Sequence, residues 1–264
     1  MRRPPYSRAE IYKMTETPQL PDAYRLICFD SIDSTNEAAK RLAGEGAAER
    51  TVVWARQQTA GKARRGRGWV SEPGNLYCSV LLRPDRPADE AMQISFVAAT
   101  AVADALANIA LASAAVECKW PNDALVDGRK VAGILLESST RNGFELDWLV
   151  VGVGINVSHH PADAEFPATS LKEAGCGDLS VAGVLTSFIS HFDRWFGHWS
   201  LEGFLPVREA WLRRARGIGA PLTVRLERET IVGTFSGIDT QGALIVTAEE
   251  GTRRITSGDV FFAV

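Results

Sequence analysis

The chain has 264 residues, of which 45% are hydrophobic and 23% are charged, and its formal net charge is −3. This length and composition are typical of a globular protein with one large domain and a smaller one. A slightly acidic chain lacks the basic excess on which sequence-independent nucleic-acid binding depends.

The first part of the chain predicts a domain of short strands with few helices. Residues 1–22 contain four prolines and are expected to form a flexible lead-in. A turn is expected over 30–35 and a Gly- and Arg-rich loop over 57–72. A helix is predicted from Ser34, because Ser34 and Glu37 have the spacing of a capping box, and another over 92–109. Strands are predicted over 24–29, 51–55, 76–82, 116–120, 131–138 and 148–153. Strands in runs with few helices between them indicate an α+β fold with a mixed sheet.

The pattern changes near Gly217. Residues 180–216 carry many aromatic side chains and are predicted to be mostly helical. Beyond them, short alternating strands are predicted over 222–226, 243–247 and at 255, with turns at 239–242 and 249–252. This spacing indicates a small β-barrel or sandwich. The predicted division is a lead-in over 1–22, a catalytic domain over 23–216 and a C-terminal β domain over 217–264.

The cysteines and the apolar segments indicate a cytoplasmic protein. The four cysteines have no CxxC spacing and are expected to be free thiols, most of them buried. They are Cys28, Cys78, Cys118 and Cys176. The basic start of the chain is followed by no apolar run, so no secretory signal is predicted. The apolar segment 96–116 is interrupted by Asp104 and Asn108, which favours a packed helix over a membrane span.

The loop from Gly61 to Trp69 is the strongest local feature. It places four cations among three glycines. Arginine forks match phosphate or carboxylate oxygens, glycine lets the backbone approach a ligand, and Trp69 offers a flat face to a nucleobase. The same residues also fit a solvated basic loop or a short nucleic-acid contact.

Two further segments place polar groups at strand ends. Lys119 to Asp123 (KWPND) ends a predicted strand at Pro121, where Asp123 suits Mg²⁺ and Lys119 suits a phosphate, although an ordinary β-turn has the same composition. A hairpin turn then brings Lys130 to the start of an apolar strand, a position from which lysine ordinarily reaches solvent.

Other motifs are weaker. Ser34, Thr35 and Asn36 fit a small-ligand site and equally a helix cap. The segment GVGIN (152–156) lacks the third glycine and the following helix of a dinucleotide fingerprint, and we reject that interpretation. The four histidines have no metal or triad context and are interpreted as structural or solvated.

Taken in order, these segments resemble the biotin protein ligase family. They are DSTNEAA (within 30–39), QTAGKARRGRGW (58–69), GNLYCSVLL (74–82), KWPND (119–123), GRKVAGILLES (128–138) and VGVGINV (151–157). The resemblance covers roughly residues 24–264. It implies a catalytic fold related to lipoate-attaching enzymes, followed by an SH3-like β domain.

The resemblance also implies ligands and roles. Biotin and ATP would be substrates with Mg²⁺ as the metal, and biotinyl-5′-AMP would be the intermediate. The implied catalytic residues are Lys130 at the reacting carboxylate, Arg64 at the intermediate, and Lys119 and Asp123 at the ATP phosphates, with Asp123 also holding Mg²⁺. The residues expected to bind biotin or ATP are Ser34, Thr35, Asn36, Gln58, Gly61, Lys62, Ala63, Arg64, Arg65, Arg67, Trp69, Asn122, Lys130, Gly133 and Asn156.

One departure from the family concerns the loop. Relatives most often have GRGRRG, whereas this chain has Lys62 and Ala63 at the second and third positions. Lys62 keeps the charge without the fork of an arginine, and Ala63 restricts the backbone. We expect these changes to affect how the loop closes.

The sequence bears on three alternative functions. A lipoate or octanoate transferase would need neither KWPND nor the appended β domain. A biotin-responsive repressor would need a DNA-binding domain, for which about 23 residues before the first strand are too few. An RNA-binding protein would need a basic barrel face, and the β domain has no basic excess. The expected partner is a biotin carboxyl carrier protein or domain of an acyl-CoA carboxylase. No specific DNA or membrane binding is expected, and the sequence leaves a monomer and a homodimer both open.

Overall fold

A seven-stranded mixed sheet forms the larger part of the protein. The structure is a computed structural model that describes residues 16–109, 114–163 and 165–262, so most of the predicted lead-in lies outside it. The strands lie in the order β1-β2-β3-β7-β6-β5-β4, and β1 and β2 form the parallel pair. Their bounds are β1 (Arg25–Ile32), β2 (Thr51–Gln58), β3 (Leu76–Leu82), β4 (Val116–Lys119), β5 (Asp123–Val126), β6 (Arg129–Arg141) and β7 (Glu145–Ile155).

Helices cover both faces of this sheet. Their bounds are α1 (Thr35–Gly44), α2 (Gln93–Ile109), α3 (Val181–Glu202) and α4 (Phe204–Arg213). On β7, Val151 and Val153 belong to the core beneath α2 and α3, whereas Val150 packs with α1. Because side chains alternate along a strand, Gly152 and Gly154 share the α1 face with Val150. On the α1 face, β7 therefore carries no side chain at positions 152 and 154.

Helix α2 confirms the prediction of a packed core helix. The stretch Ala88–Ile109 is long and apolar enough to span a membrane, and among the described residues it is alone in this. In the structure 72% of its most apolar window is buried. The helix lies between the sheet and α3, and Phe96 on it makes edge-to-face contacts with Phe204 and Trp211.

The second unit is an antiparallel sheet of five strands in the order β11-β10-β9-β8-β12. It confirms the prediction of a small β domain after the helices. The bounds are β8 (Pro221–Arg225), β9 (Thr230–Ile238), β10 (Leu244–Ala248), β11 (Gly251–Ile255) and β12 (Asp259–Phe262). This unit is fastened to the larger one by the indole of Trp120, which donates to the carbonyl of Gly242 at 3.0 Å. The guanidinium of Arg208 donates to the carbonyl of Ile238 at 2.6 Å.

Several predicted elements were wrong in extent. Strand β1 runs through the expected turn as far as Ile32, because its pairing with β2 continues to Gln58. The predicted helical stretch is broken at Gly203, whose φ of 78° ends α3. Strands β5, β9 and β12 were missed. Strand β5 forms a hairpin with β4, so the KWPND segment is a turn between two paired strands instead of a strand exit into a loop.

Candidate active site

A cavity of about 340 Å³ opens on the α1 face of the large sheet. It lies between the start of α1, the loop that carries Arg64, the β4–β5 turn and the first residues of β12. The volume is within the range of small-molecule binding sites. The lining side chains divide into an uncharged end near α1 and a cationic end near the β4–β5 turn.

The uncharged end is built around the first turn of α1. The predicted start at Ser34 is confirmed, but the predicted capping box is wrong, because the Ser34 side chain makes no capping hydrogen bond. The carboxamide of Gln58 takes this role instead, and its Oε1 accepts from the Thr35 backbone N–H at 2.8 Å. Because Gln58 on β2 supplies the capping acceptor, the Ser34 side chain remains in the wall of the cavity.

Asn36 is held rigidly at this end. Its Oδ1 lies 2.6 Å from the Ser79 hydroxyl, and its Nδ2 donates to a Glu137 carboxylate oxygen at 2.9 Å. Asn36 is 3% exposed. A buried amide fixed at both ends offers a ligand one defined arrangement of donor and acceptor.

Glycines form the floor of the cavity. A Cβ on Gly152 would lie 2.1 Å from Asn36 Oδ1, and a Cβ on Gly154 would lie 2.7 Å from the Trp69 indole. A Cβ on Gly133 would lie 2.9 Å from the same indole. The three glycines therefore let Asn36 and Trp69 lie directly on the sheet. The GVGIN segment, which is not a dinucleotide fingerprint, thus forms part of the floor of the cavity.

The cationic end contains two lysines around one carboxylate. Lys130 Nζ lies 2.7 Å from Asp123 Oδ1, and the Lys130 and Asp123 side chains are 23% and 11% exposed. Lys119 is buried, and its Nζ lies 3.6 Å from the centre of the Phe166 ring. Burial lowers the pKa of Lys119 to about 8, although Asp123 opposes the shift. One carboxylate between two lysines leaves a site that attracts phosphate oxygens.

Arg64 extends this cationic end from the loop. Its guanidinium donates to Asn122 Oδ1 at 3.2 Å, and the Asn122 amide is itself held by the Ile134 carbonyl at 2.6 Å. Burial lowers the pKa of Arg64 from its ordinary value, and the nearby Asp259 and Asp123 oppose this shift. The arginine is thus half-buried against the β4–β5 turn.

The residues at this end also fit a divalent cation bound together with phosphates. Asp123 Oδ1 is buried, and its partner in the described structure is the Lys130 ammonium at 2.7 Å. The described residues contain no cluster of three or more His, Cys, Asp or Glu side chains of the kind that encloses a metal by itself. Mg²⁺ commonly binds through one or two carboxylates plus substrate phosphates, and a single buried aspartate suits that mode.

The other cations of the loop are paired with acids outside the cavity floor. Lys62 pairs with Glu37 on α1. Arg65 and Arg67 both reach the carboxylate of Asp259, at 2.9 Å and 3.2 Å. Arg64 lines the cavity and alone among the four loop cations forms no ion pair within 4 Å in the described structure, so its charge is the least compensated of the four.

Three of the cavity-wall residues that were not predicted connect the wall to the β domain. Glu165 accepts from Arg67 at 2.8 Å and from Arg225 at 3.0 Å. Phe166 stacks on Phe261 of β12 with ring centres 5.0 Å apart. The third is Asp259, at the start of β12. Phe166 is an isolated aromatic residue in a polar segment, and no local pattern predicts that the β domain would form part of the cavity.

The structure brings together most of the residues expected at the site. Gly61 and Arg65 are outside the lining of the cavity. Gly61 serves the base of the loop, where its carbonyl accepts from the Trp69 N–H at 2.9 Å. The remaining expected residues all line the cavity. They are Ser34, Thr35, Asn36, Gln58, Lys62, Ala63, Arg64, Arg67, Trp69, Lys119, Asn122, Asp123, Lys130, Gly133 and Asn156.

The histidines and cysteines lie apart from this site. None of the four histidines lines the cavity. His198, for example, bonds to Glu202 one helical turn away at 2.6 Å. All four cysteines are free, and three of them are buried, as predicted.

Sequence comparisons match both units. The family model described as "Biotin/lipoate A/B protein ligase family" matches residues 29–213, and "Biotin protein ligase C terminal domain" matches residues 217–263. The biotin–[acetyl-CoA-carboxylase] ligase of Paracoccus denitrificans is 41% identical over 235 residues, which are 87% of this chain and 97% of that protein. The bifunctional ligase/repressor BirA of Bacillus subtilis is 36% identical, over 89% of this chain and 73% of that protein.

A solved structure is also similar. The biotin protein ligase from Aquifex aeolicus, solved in complex with biotin and ATP, superimposes with a TM-score of 0.78 at 28% sequence identity. The match covers 90% of this chain and 99% of that one, so it includes both the large sheet and the β domain.

Proposed function

The chain belongs to the biotin protein ligase family, and from that premise we propose how its cavity activates biotin with ATP and transfers it to a lysine of a carrier protein. Family membership rests on the match over residues 29–213 and on the Paracoccus relative. The observation that carries the site assignment is the single cavity with an uncharged polar end and a cationic end.

The uncharged end suits biotin. Ser34, Thr35 and Asn36 provide hydroxyl and amide groups of the kind that pair with the N–H and C=O groups of a ureido ring. Asn36 is fixed by Ser79 and Glu137, so little side-chain entropy remains to be lost on binding. The glycine floor gives the flat bicycle of biotin access to the sheet backbone.

The cationic end suits the phosphates of ATP. We assign Lys130 to the reacting centre and Lys119 and Arg64 to the phosphate oxygens, while Trp69 and Asn156 lie on the adenine side. The side chain of Asn156 is buried and donates to the Thr169 carbonyl at 3.0 Å, which fixes the orientation of its amide. Asp123 would hold Mg²⁺, which when bound neutralises phosphate charge.

Adenylation is an in-line displacement. The biotin carboxylate oxygen forms a bond to the α-phosphorus, the bond from phosphorus to the bridging oxygen breaks, and pyrophosphate leaves. Negative charge gathers on the phosphoryl oxygens in the transition state. Lys130 and Arg64 lie on the walls of the cavity where that charge develops, and fixed cations stabilise it without reorganisation.

Transfer completes the reaction. The carrier lysine, as the neutral amine, attacks the acyl carbon of biotinyl-5′-AMP. The amide bond forms, AMP leaves with the electron pair of the mixed-anhydride bond, and the nitrogen loses its extra proton to solvent. The mixed anhydride must be kept from water until then. The loop 61–69 lies over the cavity and shields the anhydride from water.

We assign the carrier as a biotin carboxyl carrier domain of an acyl-CoA carboxylase, and the compartment as the cytoplasm. The name of the Paracoccus relative supports the carrier. The free cysteines support a reducing compartment.

The test is ATP-dependent transfer of labelled biotin to a purified carrier domain. The protein should label one lysine of the carrier, and omission of ATP or replacement of that lysine should abolish labelling. Lipoate in place of biotin should give no product. Labelling with lipoate alone, or no pyrophosphate exchange with biotin, would overturn the proposed function.

A further inference from the structure

The last strand of the β domain, β12, presents alternate side chains to the catalytic domain. Val260 points into the core of the β domain and is 2% exposed. Asp259 and Phe261 flank it, so both point the opposite way. Asp259 meets the loop arginines Arg65 and Arg67, and Phe261 stacks on Phe166.

Asp259 is positioned to bind the loop 61–69 through two arginines. Its side chain is 11% exposed, whereas those of Arg65 and Arg67 are 36% and 41% exposed. A carboxylate fixed in a strand loses little side-chain entropy when it pairs, and two cations converge on it. Glu165 adds a second anchor for Arg67 and is itself held by Arg225 of β8.

The loop has a corresponding tether on its other side. Lys62 pairs with Glu37 on α1, and Glu37 also accepts from Lys40 at 2.9 Å. The loop is therefore tied to α1 at one side and to the β domain at the other. Arg64 lies between these ties and faces the cavity.

We propose that Asp259 is a positioning residue that sets how long biotinyl-5′-AMP stays bound, because it ties the loop over the cavity to the β domain. This inference rests on the proposed function. Loss of the tie lets the loop open while the adenylate is present, so the adenylate dissociates and acylates lysines of bystander proteins.

The experiment measures adenylate dissociation from the purified full-length protein. Labelled biotin and ATP form the complex, and excess unlabelled biotinyl-5′-AMP starts the chase. Asp259→Asn should release the label roughly fivefold faster than the unchanged protein, since exposed ion pairs are individually weak and two are lost together. Asp259→Glu, which keeps the charge, should restore slow release.

Glu229→Gln is the matched control. Glu229 belongs to the same β domain and pairs with Arg253 at 2.7 Å, away from the cavity. Its substitution removes the same charge and one arginine pair, so its release rate should stay that of the unchanged protein. Equal acceleration in both variants would mean that general loosening of the β domain, and not the loop tie, controls release.

Salt dependence separates a tie from a merely structural contact. The Debye length falls from about 10 Å at 0.1 M salt to about 3 Å at 1 M, so release from the unchanged protein should accelerate with salt. Release from Asp259→Asn should depend less on salt. Release that is equally slow in the unchanged protein and in Asp259→Asn at low salt would overturn the inference.

A second variant approaches the same contact from the loop. Arg65→Gln changes an exposed side chain, so it tests the tie even where Asp259→Asn folds poorly. It should also speed release, and the two changes together should add less than the sum of their separate effects. Full additivity would contradict a shared contact. Absence of any labelled complex in the unchanged protein would instead refute the proposed function.

Discussion

Gly152→Ala tests whether the glycine floor shapes the biotin site. The backbone at Gly152 is ordinary strand, so an alanine there meets no backbone strain. Its Cβ, however, would lie 2.1 Å from Asn36 Oδ1, whereas ordinary contacts begin at 3.4 Å. Asn36 Oδ1 must therefore move by about 1.3 Å to reach an ordinary contact distance, away from Ser79 and Glu137.

The cost follows from the bonds that this movement breaks. A neutral hydrogen bond contributes about 1 kcal/mol and one to a charged group about 1.5–3 kcal/mol. The strand is buried and relaxes little, and overpacking of this kind typically costs about 1–3 kcal/mol. We expect the free energy of unfolding to fall by about 2–3 kcal/mol. Biotin, deprived of the Asn36 amide in its fixed position, should bind at least about tenfold more weakly.

Urea denaturation and titration calorimetry with biotin provide the two measurements. Gly197→Ala is the control, because Gly197 lies within α3 and a Cβ there meets nothing within 4 Å. That substitution should raise stability by about 0.5–1 kcal/mol and leave biotin affinity unchanged. The double variant Asn36→Ala with Gly152→Ala removes the clash, while Ser79 and Glu137 stay unchanged. It should therefore be more stable than Gly152→Ala alone, yet still bind biotin weakly.

Two results would refute this reasoning. Gly152→Ala with unchanged biotin affinity would show that Asn36 is not a biotin contact. Unchanged stability would show that Asn36 has room to move, and the floor would then have no steric role.

Three further predictions concern the cationic end. Lys130→Ala should raise the barrier to biotin-dependent pyrophosphate exchange by about 3 kcal/mol and so slow it more than a hundredfold, since the change removes a cation from the developing charge. An unchanged exchange rate would contradict the role of Lys130. Lys172→Ala is the control, because Lys172 forms an exposed ion pair with Asp178. Arg64→Ala should release the adenylate early and raise labelling of a bystander protein such as serum albumin, and full carrier specificity would exclude a retaining role. Because burial holds the pKa of Lys119 at about 8, the amine is charged below that pH and neutral above it; kcat/KM for ATP should therefore fall as the pH rises through about 8, and Lys119→Arg should move that fall to higher pH.

Most of the residues that the ordered motifs single out lie together in one cavity, whereas several elements of the fold were wrong in extent or missed. Each motif keeps its polar groups within a few residues, as Lys119 and Asp123 do in KWPND. Strand β5 was missed because it has four residues and begins with Asp123, so its hydrophobic run is too short to show a period. The capping box failed for a different reason, since Gln58 from another strand supplies the acceptor.

The contribution of the β domain was beyond local patterns. Asp259 lies in a segment for which no strand was predicted, and nothing near it marks a contact with Arg65. The roles of Lys62, Arg65 and Arg67 were likewise assigned to ligands, whereas each has a carboxylate partner in the structure. Charge partners distant in sequence are set by the packing of the two units.

The tie between Arg65 and Asp259 joins residues separated by 194 positions in the chain. Closing so long a loop costs conformational entropy before the contact is gained. The contact between α1 and the sheet spans a shorter separation, since Asn36 and Glu137 are 101 positions apart. We therefore expect the folding chain to form the cavity before it forms the contact that holds the loop over it.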